Sequence, residues 1–171
     1  RTYNYYTYKN QVDNYKQDNY QLHYTYSLKS NLILNLSGHY TYGRGYYEEY
    51  KNNQALSAYG MSSVVVGNDT LTTSDLIRQR WLNNDFVGSV FSLSYFKYRF
   101  NLVWGGSVNT YLGRHYGEVI WSRFASDSEL GDRYYNESGQ KSEWSSYLKG
   151  SYRLKDWLFN GDIQFRHLDY S

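Results

Sequence analysis

Alternation of apolar and polar side chains along short segments is the feature that most limits how this chain can fold. In segment 20–28, tyrosine and leucine occupy the even positions, whereas glutamine, histidine, threonine and serine occupy the odd ones. Successive side chains of a β-strand point to opposite faces, so this segment has one aromatic–aliphatic face and one polar face. A soluble sheet can have this pattern. A membrane-barrel strand must have it, because one face meets lipid and the other meets a polar lumen.

The composition favours a barrel with a wide lumen over a compact soluble core. Tyrosine accounts for 23 of the 171 residues, and the mean hydropathy is −0.80. A mean hydropathy this low is typical of disordered chains, but an aromatic content of 20% argues against disorder. A wide barrel fits both observations, because half of each strand faces water. No apolar run approaches the roughly 20 residues of a transmembrane helix, so a membrane crossing would use strands.

Charge and cysteine content exclude several classes of function. The formal net charge is only +2, with basic and acidic residues in mixed order, which gives no indication of a nucleic-acid partner. The chain has no cysteine, which removes disulfides, thiolate chemistry and cysteine-based metal sites.

Seven segments have the pattern of strands. They are Thr2–Lys9, Asp18–Leu28, Asn31–Tyr47, Arg80–Phe96, Arg99–Gly113, Lys141–Leu154 and Trp157–Tyr170. The connections between them alternate in length. Tight polar turns are predicted at Lys29-Ser30, Lys97-Tyr98 and Lys155-Asp156, and long loops at Asn10–Gln17, Glu48–Gln79 and Arg114–Gln140. Short turns alternating with long loops are typical of bacterial outer-membrane barrels and unlike the Greek-key links of sandwiches.

The predicted fold is therefore all-β, an antiparallel up-and-down meander of about seven strands formed by a single piece, residues 1–171. Single-chain bacterial barrels have even numbers of strands. The chain also begins and ends within strand-like segments. We therefore expect a fragment of a larger barrel, such as a 22-stranded transmembrane barrel with a plugged lumen.

Side chains that can act in catalysis or metal binding are present, but no sequence pattern assembles them into a reactive site. His23 and His39 are expected on one polar face about 7–8 Å apart, without a third metal ligand, so we interpret them as lumen-facing polar residues. The remaining candidates are His115, His167 and the loop carboxylates Glu48, Glu49, Asp127, Glu129 and Asp132. No nucleophile elbow or phosphate loop accompanies them. We predict no enzyme activity, no cofactor and no metal site.

Two further features concern the strand ends and loops. Gly43-Arg44-Gly45 is interpreted as a place where a strand bends. Aromatic residues of the loops combine contact area with a polar handle, as recognition surfaces do. The candidates for ligand capture are Tyr46, Tyr47, Tyr50, Tyr116, Trp121, Tyr134 and Tyr135. Packing of these loops on one another is an equal alternative.

Five segments together are similar to a known family. They are Asp13–Tyr15, Asp18–Leu22, Gly43–Lys51, Arg80–Phe86 and His115–Trp121. In this order, and over essentially the whole chain, they resemble the barrel of Bacteroidetes-type TonB-dependent outer-membrane receptors.

The resemblance implies a location in the bacterial outer membrane and a part in active uptake. Such receptors capture a scarce nutrient with extracellular loops, and an N-terminal plug and TonB box couple uptake to the TonB system. We expect neither plug nor TonB box in this chain. The ligand stays open among an iron-siderophore, haem, cobalamin, an oligosaccharide and a peptide.

Two other functions remain as alternatives. A passive porin-like channel has a similar strand pattern, and a soluble lectin-like β-sandwich would pack its apolar faces on each other.

If the chain is part of a membrane barrel, we expect outer-membrane lipid as a partner. Because the fragment would have open edges and an apolar face, we also expect it to self-associate.

Overall fold

The computed structural model describes residues 8–124 and 127–171, and its architecture is all-β and antiparallel. Six strands form the main sheet, in the order β1-β2-β5-β6-β7-β8. Their bounds are β1 Asp13–Lys29, β2 Leu32–Ala55, β5 Thr73–Lys97, β6 Phe100–Ser122, β7 Arg133–Leu154 and β8 Trp157–Tyr170. Two short strands, β3 (Val64–Val66) and β4 (Asp69–Leu71), pair only with each other. The predicted meander is confirmed, since each strand of the main sheet lies beside the next one along the chain.

The connection from β2 to β5 has structure of its own. A 3₁₀ helix, Leu56–Tyr59, follows β2 directly, and the β3–β4 hairpin follows that helix. Gly60 ends the helix in the left-handed conformation, with φ of 68°, which glycine adopts without steric cost. No helix among residues 8–124 and 127–171 is long and apolar enough to cross a membrane.

The strands are longer than predicted, and two of the predicted long loops are correspondingly wrong. Much of Glu48–Gln79 and Arg114–Gln140 is strand, because β2 continues to Ala55, β5 begins at Thr73, β6 continues to Ser122 and β7 begins at Arg133. The apolar alternation fades in these extensions, but backbone pairing does not require apolar side chains. Polar contacts between strands also occur there, such as the hydrogen bond from Gln79 Nε2 to Glu48 Oε2.

The beginning of the chain also differs from the prediction. β1 starts at Asp13, so most of the predicted loop Asn10–Gln17 is strand. The predicted first strand, Thr2–Lys9, lies mainly outside the described residues, and its last two residues are not strand. The structure has eight strands in the part of the chain that it describes, six of them in the main sheet.

Contacts divide the described residues into two compact units. The turn unit consists of Asp18–Tyr42, Asp85–Leu112 and Gly139–Ser171. The loop unit consists of the described residues of Arg1–Gln17, Gly43–Asn84 and Gly113–Ser138.

The turn unit has one hydrogen-bonded polar face. Thr25 Oγ1 donates to Asn35 Oδ1 at 2.9 Å, and Asn35 Nδ2 donates to Ser92 Oγ at 3.3 Å. The Nδ1 atom of His23 lies 2.9 Å from Ser37 Oγ. These bonds link polar side chains of neighbouring strands.

The opposite face of the turn unit is apolar and exposed. In the β7–β8 ladder Leu148 pairs with Ile163 and Tyr152 pairs with Phe159. The two intervening pairs on the other face are Lys149 with Asp162 and Ser151 with Asn160. Ile163 is 71% exposed. The predicted alternation of apolar and polar side chains is confirmed in this ladder.

The only cluster of buried apolar side chains among the described residues lies in the loop unit. Its members are Leu56, Tyr59, Met61, Leu76 and Val119, with Val64 and Tyr134 packed against it. The segment after β2 therefore folds back onto β5 and β6. This packing fixes the position of the 3₁₀ helix over the strands.

Candidate functional site

Two arginines of β5 lie on one face of the loop unit, because Arg78 and Arg80 are two residues apart in a strand. Arg78 is held by partners. Its Nε donates to Glu49 Oε1 at 2.8 Å, its Nη2 donates to the same oxygen, and its Nη1 donates to Tyr59 Oη at 3.0 Å. Lys51 Nζ lies 3.0 Å from the other oxygen of Glu49. Both members of the Arg78–Glu49 pair are mostly buried.

The charges around Glu49 hold it in the ionised form. Burial alone would raise the pKa of the Glu49 carboxyl, but hydrogen bonds and the positive charges of Lys51 and Arg78 lower this pKa below its ordinary value. The same hydrogen bonds raise the pKa of Arg78, against the effect of its burial. Arg78 and Glu49 therefore neutralise each other and join β5 to β2.

Arg80 has a different environment. Its guanidinium lies over the rings of Tyr47 and Tyr135, at 5.5 and 5.7 Å from their centroids, and its Nε donates to Tyr135 Oη at 3.2 Å. Among residues 8–124 and 127–171, no carboxylate oxygen lies within 4.0 Å of Arg80. Stacking between aromatic rings orients a guanidinium and leaves its outer N–H groups for another acceptor.

A cleft of about 320 Å³ opens beside these two arginines. Its lining residues are Arg78, Arg80, Tyr134, Tyr135 and Glu137. The hydroxyl of Tyr134 is buried and has no hydrogen-bond partner in the described part of the chain. Burial raises the pKa of this phenol, so Tyr134 is a neutral hydroxyl at physiological pH.

The cleft depends on a glycine and on the 3₁₀ helix. A Cβ at Gly117 would overlap the rings of both Tyr134 and Tyr135, so only glycine lets these rings lie over β6. On the other side, the ring of Tyr59 lies 4.7 Å from that of Tyr134. The buried cluster beneath Tyr59 therefore supports one wall of the cleft.

A second aromatic cluster of the loop unit is built for packing. The ring of Trp81 lies 4.6 Å from Tyr46 and stacks on Tyr116 at 5.8 Å. Arg44 covers Trp81 at 5.2 Å, and Arg133 covers Tyr116 at 3.8 Å. Tyr116 is only 4% exposed, so it has little surface to offer a ligand.

A third group lines a separate apolar cleft of about 380 Å³. It consists of Tyr50 and Trp121, together with Tyr8 and Ile77. Glu48, which the sequence placed in a flexible loop, is a buried residue of β2. It accepts hydrogen bonds from Tyr8 Oη at 3.2 Å and from Gln79 Nε2 at 2.8 Å.

The structure thus divides the seven predicted capture residues into three groups. Tyr46 and Tyr116 pack around Trp81, Tyr50 and Trp121 line the apolar cleft, and Tyr47, Tyr134 and Tyr135 surround Arg80 and its cleft. Tyr46 and Tyr47 separate because adjacent residues of β2 point to opposite faces. Tyr134 and Tyr135 are also adjacent, but at the start of β7 both line the cleft.

The sequence prediction missed both arginines of the cleft. The available signal was the spacing Arg78-Gln79-Arg80, which places two arginines on one strand face. The prediction had assigned Arg78 to a loop, where spacing has no such meaning.

Two of the other residues considered for chemistry, His39 and Asp127, have structural partners. His39 Nε2 lies 3.0 Å from Asn109 Oδ1, and Asp127 accepts bonds from both the backbone N–H and the hydroxyl of Ser62. No group of three or more metal-ligating side chains suited to a metal ion occurs within the described ranges.

Gly43-Arg44-Gly45, for which a strand bend stays a prediction, has a packing role. It lies within the continuous strand β2, where a Cβ at Gly43 would overlap the ring of Tyr15 and one at Gly45 would overlap the backbone of β1. The two glycines therefore provide space for Tyr15 and for close approach of β1.

Comparison of the chain with protein-family models, with curated proteins and with solved structures finds no match.

Proposed function

We propose that this chain forms part of the transmembrane β-barrel of a TonB-dependent outer-membrane receptor, in which strands of the turn unit cross the bilayer and the loop unit takes part in nutrient capture. The family assignment rests on the sequence segments quoted above. The crossing segments and the capture surface are proposed from the side-chain patterns of the two units.

One observation carries the membrane proposal. The turn unit combines a polar face joined by hydrogen bonds with an opposite face of large, exposed apolar side chains. Exposed apolar patches of this size are unusual on soluble monomers and mark sites of interaction. The exposed apolar side chains of β8 are Trp157 71%, Phe159 56%, Ile163 71% and Phe165 56%. A lipid environment would cover this face without desolvating the polar one.

Single-cysteine labelling tests the proposal, because the chain has no cysteine of its own. Ile163→Cys and Gln164→Cys are adjacent in β8, and the register places them on opposite faces. The complete protein that carries this chain would be labelled with a nitroxide at each position and reconstituted in phospholipid bilayers. We expect the label at 163 to collide mainly with oxygen, which concentrates in lipid, and the label at 164 mainly with a water-soluble nickel chelate.

Phe159→Cys and Asp162→Cys provide a matched second pair on the same strand. Equal access of the nickel chelate to all four positions would contradict the membrane proposal. That result would favour a soluble sheet with water on both faces. Labels at 159 and 163 that neither reagent reaches would also contradict the membrane proposal, and they would favour the sandwich alternative.

The transport proposal needs a separate test in the complete receptor. Energised uptake should cease when the proton gradient of the inner membrane is collapsed, whereas diffusion through a porin-like channel should continue. Radiolabelled nutrient uptake into whole cells, with and without a protonophore, distinguishes the two. Uptake at an unchanged rate would contradict TonB-driven transport.

A further inference from the structure

We infer that the cleft beside Arg80 binds a solute that carries a carboxylate or phosphate group, with Arg80 as the anchor. This inference deepens the capture function proposed above and rests on it, since it assigns a chemical class to the captured ligand.

The first argument is the balance of hydrogen-bond donors and acceptors in the cleft. Arg80 uses Nε for Tyr135, which leaves Nη1 and Nη2 without an acceptor among the described residues. Tyr134, which also lines the cleft, adds a hydroxyl that has no hydrogen-bond partner among the described residues. A surplus of donors favours a ligand rich in acceptor oxygens, and the two Nη groups match the spacing of two oxygens on one carboxylate or phosphate.

The second argument is the contrast between the two arginines. Arg78 already has a carboxylate, a tyrosine hydroxyl and a mostly buried position. Arg80 is exposed, and its ring contacts with Tyr47 and Tyr135 hold the guanidinium in place without neutralising it. A guanidinium that is oriented before the ligand arrives loses less entropy on binding.

The third argument concerns the charges that surround the cleft. Lys51 and Arg78 share the single negative charge of Glu49, so this triad has a net positive charge. Glu137 is the one carboxylate that lines the cleft, and no described cation lies within 4.0 Å of it. Arg80 adds a further positive charge. The negative charge of Glu137 repels an anion at the rim of the cleft. Removal of this charge should therefore strengthen anion binding, whereas removal of Arg80 should weaken it.

Binding of citrate and of inorganic phosphate to the full chain in detergent tests the inference, with glycerol as a neutral probe. The readout is the shift of the arginine Nε–H signals in nuclear magnetic resonance spectra at low salt. We expect saturable shifts with one or both anions and none with glycerol. Citrate binding alone would identify carboxylate as the preferred group, and phosphate binding alone would identify phosphate.

Four variants assign the effect. Arg80→Gln should weaken anion binding about tenfold or more, because a charge-assisted pair is lost. Arg80→Lys should recover only part of the affinity, since lysine lacks the planar fork. Glu137→Gln should strengthen binding about two- to fivefold by removing a repulsive charge at an exposed site. Arg99→Gln, which removes the same charge from a turn of the turn unit, should leave binding unchanged.

The inference is overturned if neither anion binds saturably, or if Arg80→Gln and Arg99→Gln weaken binding equally, which would indicate a response to net charge alone. Circular dichroism of each variant checks that it is folded, and an affinity gain in Glu137→Gln does not depend on any loss of structure. Failure here leaves the labelling result at 163 and 164 untouched. A negative labelling result would remove the membrane proposal while leaving anion binding measurable.

Discussion

Nε and Nη2 of Arg78 both donate to one carboxylate oxygen of Glu49, and this pair joins β5 to β2 across the loop unit. Because the other oxygen of Glu49 lies near Lys51, two positive side chains, Arg78 and Lys51, interact with this one carboxylate. The pair is mostly buried, so water screens it less than a surface ion pair.

Replacement of this carboxylate should therefore lower stability in a pH-dependent way. Glu49→Gln should reduce the free energy of unfolding by about 1–3 kcal/mol at pH 7. The folded-state pKa of Glu49 lies below its ordinary value of 4.5, so the contribution is complete above about pH 4.5 and is lost as the pH falls through the folded-state pKa. Denaturant unfolding at pH 7 and at pH 3 measures the loss of stability and its pH dependence. The difference in unfolding free energy between wild type and variant should be smaller at pH 3. Glu137→Gln is the matched control, since no described cation pairs with Glu137. A difference that stays constant with pH would contradict the assignment to ionised Glu49.

The contact between Tyr8 and Glu48 should show the opposite pH dependence. Burial, followed by the charge and hydrogen bond of Glu48, raises the pKa of Tyr8 to about 12. Tyr8→Phe should lower the free energy of unfolding by about 0.5–1.5 kcal/mol near pH 8, because one hydrogen bond to a buried carboxylate is lost. The stabilisation is complete below pH 10 and disappears as the pH rises through about 12. Unfolding of wild type and variant at pH 8 and at pH 11.5 tests this. Tyr98→Phe, at a 99% exposed position, should have no effect at either pH.

The sequence predicted the strands of the turn unit well, because the alternation of apolar and polar side chains and the tight turns are local signals. Strand β8 has the predicted bounds, Trp157–Tyr170, and β7 ends at the predicted Leu154. The strand extensions of the loop unit could not be predicted in this way. There the strands are held by pairs such as Gln79 with Glu48, which the sequence separates widely and no local pattern connects.

The candidate cleft was only partly predictable for a similar reason. Tyr47, Tyr134 and Tyr135 were chosen for their residue type, and nothing in that choice indicated that they meet around Arg80. The cleft also requires Gly117 to be small and Leu56 to fold back onto Leu76. Both conditions are tertiary, and neither has a signature in the residues nearby.

Gly117 provides a sharp test of the packing that shapes the cleft. Gly117→Ala should lower the free energy of unfolding by about 1–3 kcal/mol, because its methyl group would overlap two tyrosine rings that pack on either side. It should also weaken any anion binding, since Tyr135 would have to move. Gly161→Ala is the matched control, because that glycine is also in a strand and no atom lies within 4 Å of its added Cβ. Equal effects of the two substitutions on thermal unfolding would contradict the packing argument.

The buried cluster of the loop unit should matter more than any exposed apolar residue. Leu76 is 0% exposed, and Leu76→Ala should lower the free energy of unfolding by about 2–5 kcal/mol through lost burial and a residual cavity. Loosening of the 3₁₀ helix should follow, seen as faster amide hydrogen exchange at Met61, whose N–H donates to Leu56 O. Leu22→Ala, at a 75% exposed position, serves as the control in detergent and should leave that exchange unchanged. Unaltered exchange at Met61 in Leu76→Ala would show that the helix does not depend on this cluster.

The register between β7 and β8 also limits the errors that the chain can make while it assembles. A slip of one residue would bring Asp162 and Gln164 to the side of Trp144 and Leu148, and would invert every pair of the ladder at once. A mispaired β8 would therefore expose charge on the face where its neighbour exposes aromatic rings. Only the observed register places Ile163 against Leu148 and Asp162 against Lys149, so a single pairing satisfies both faces of the ladder.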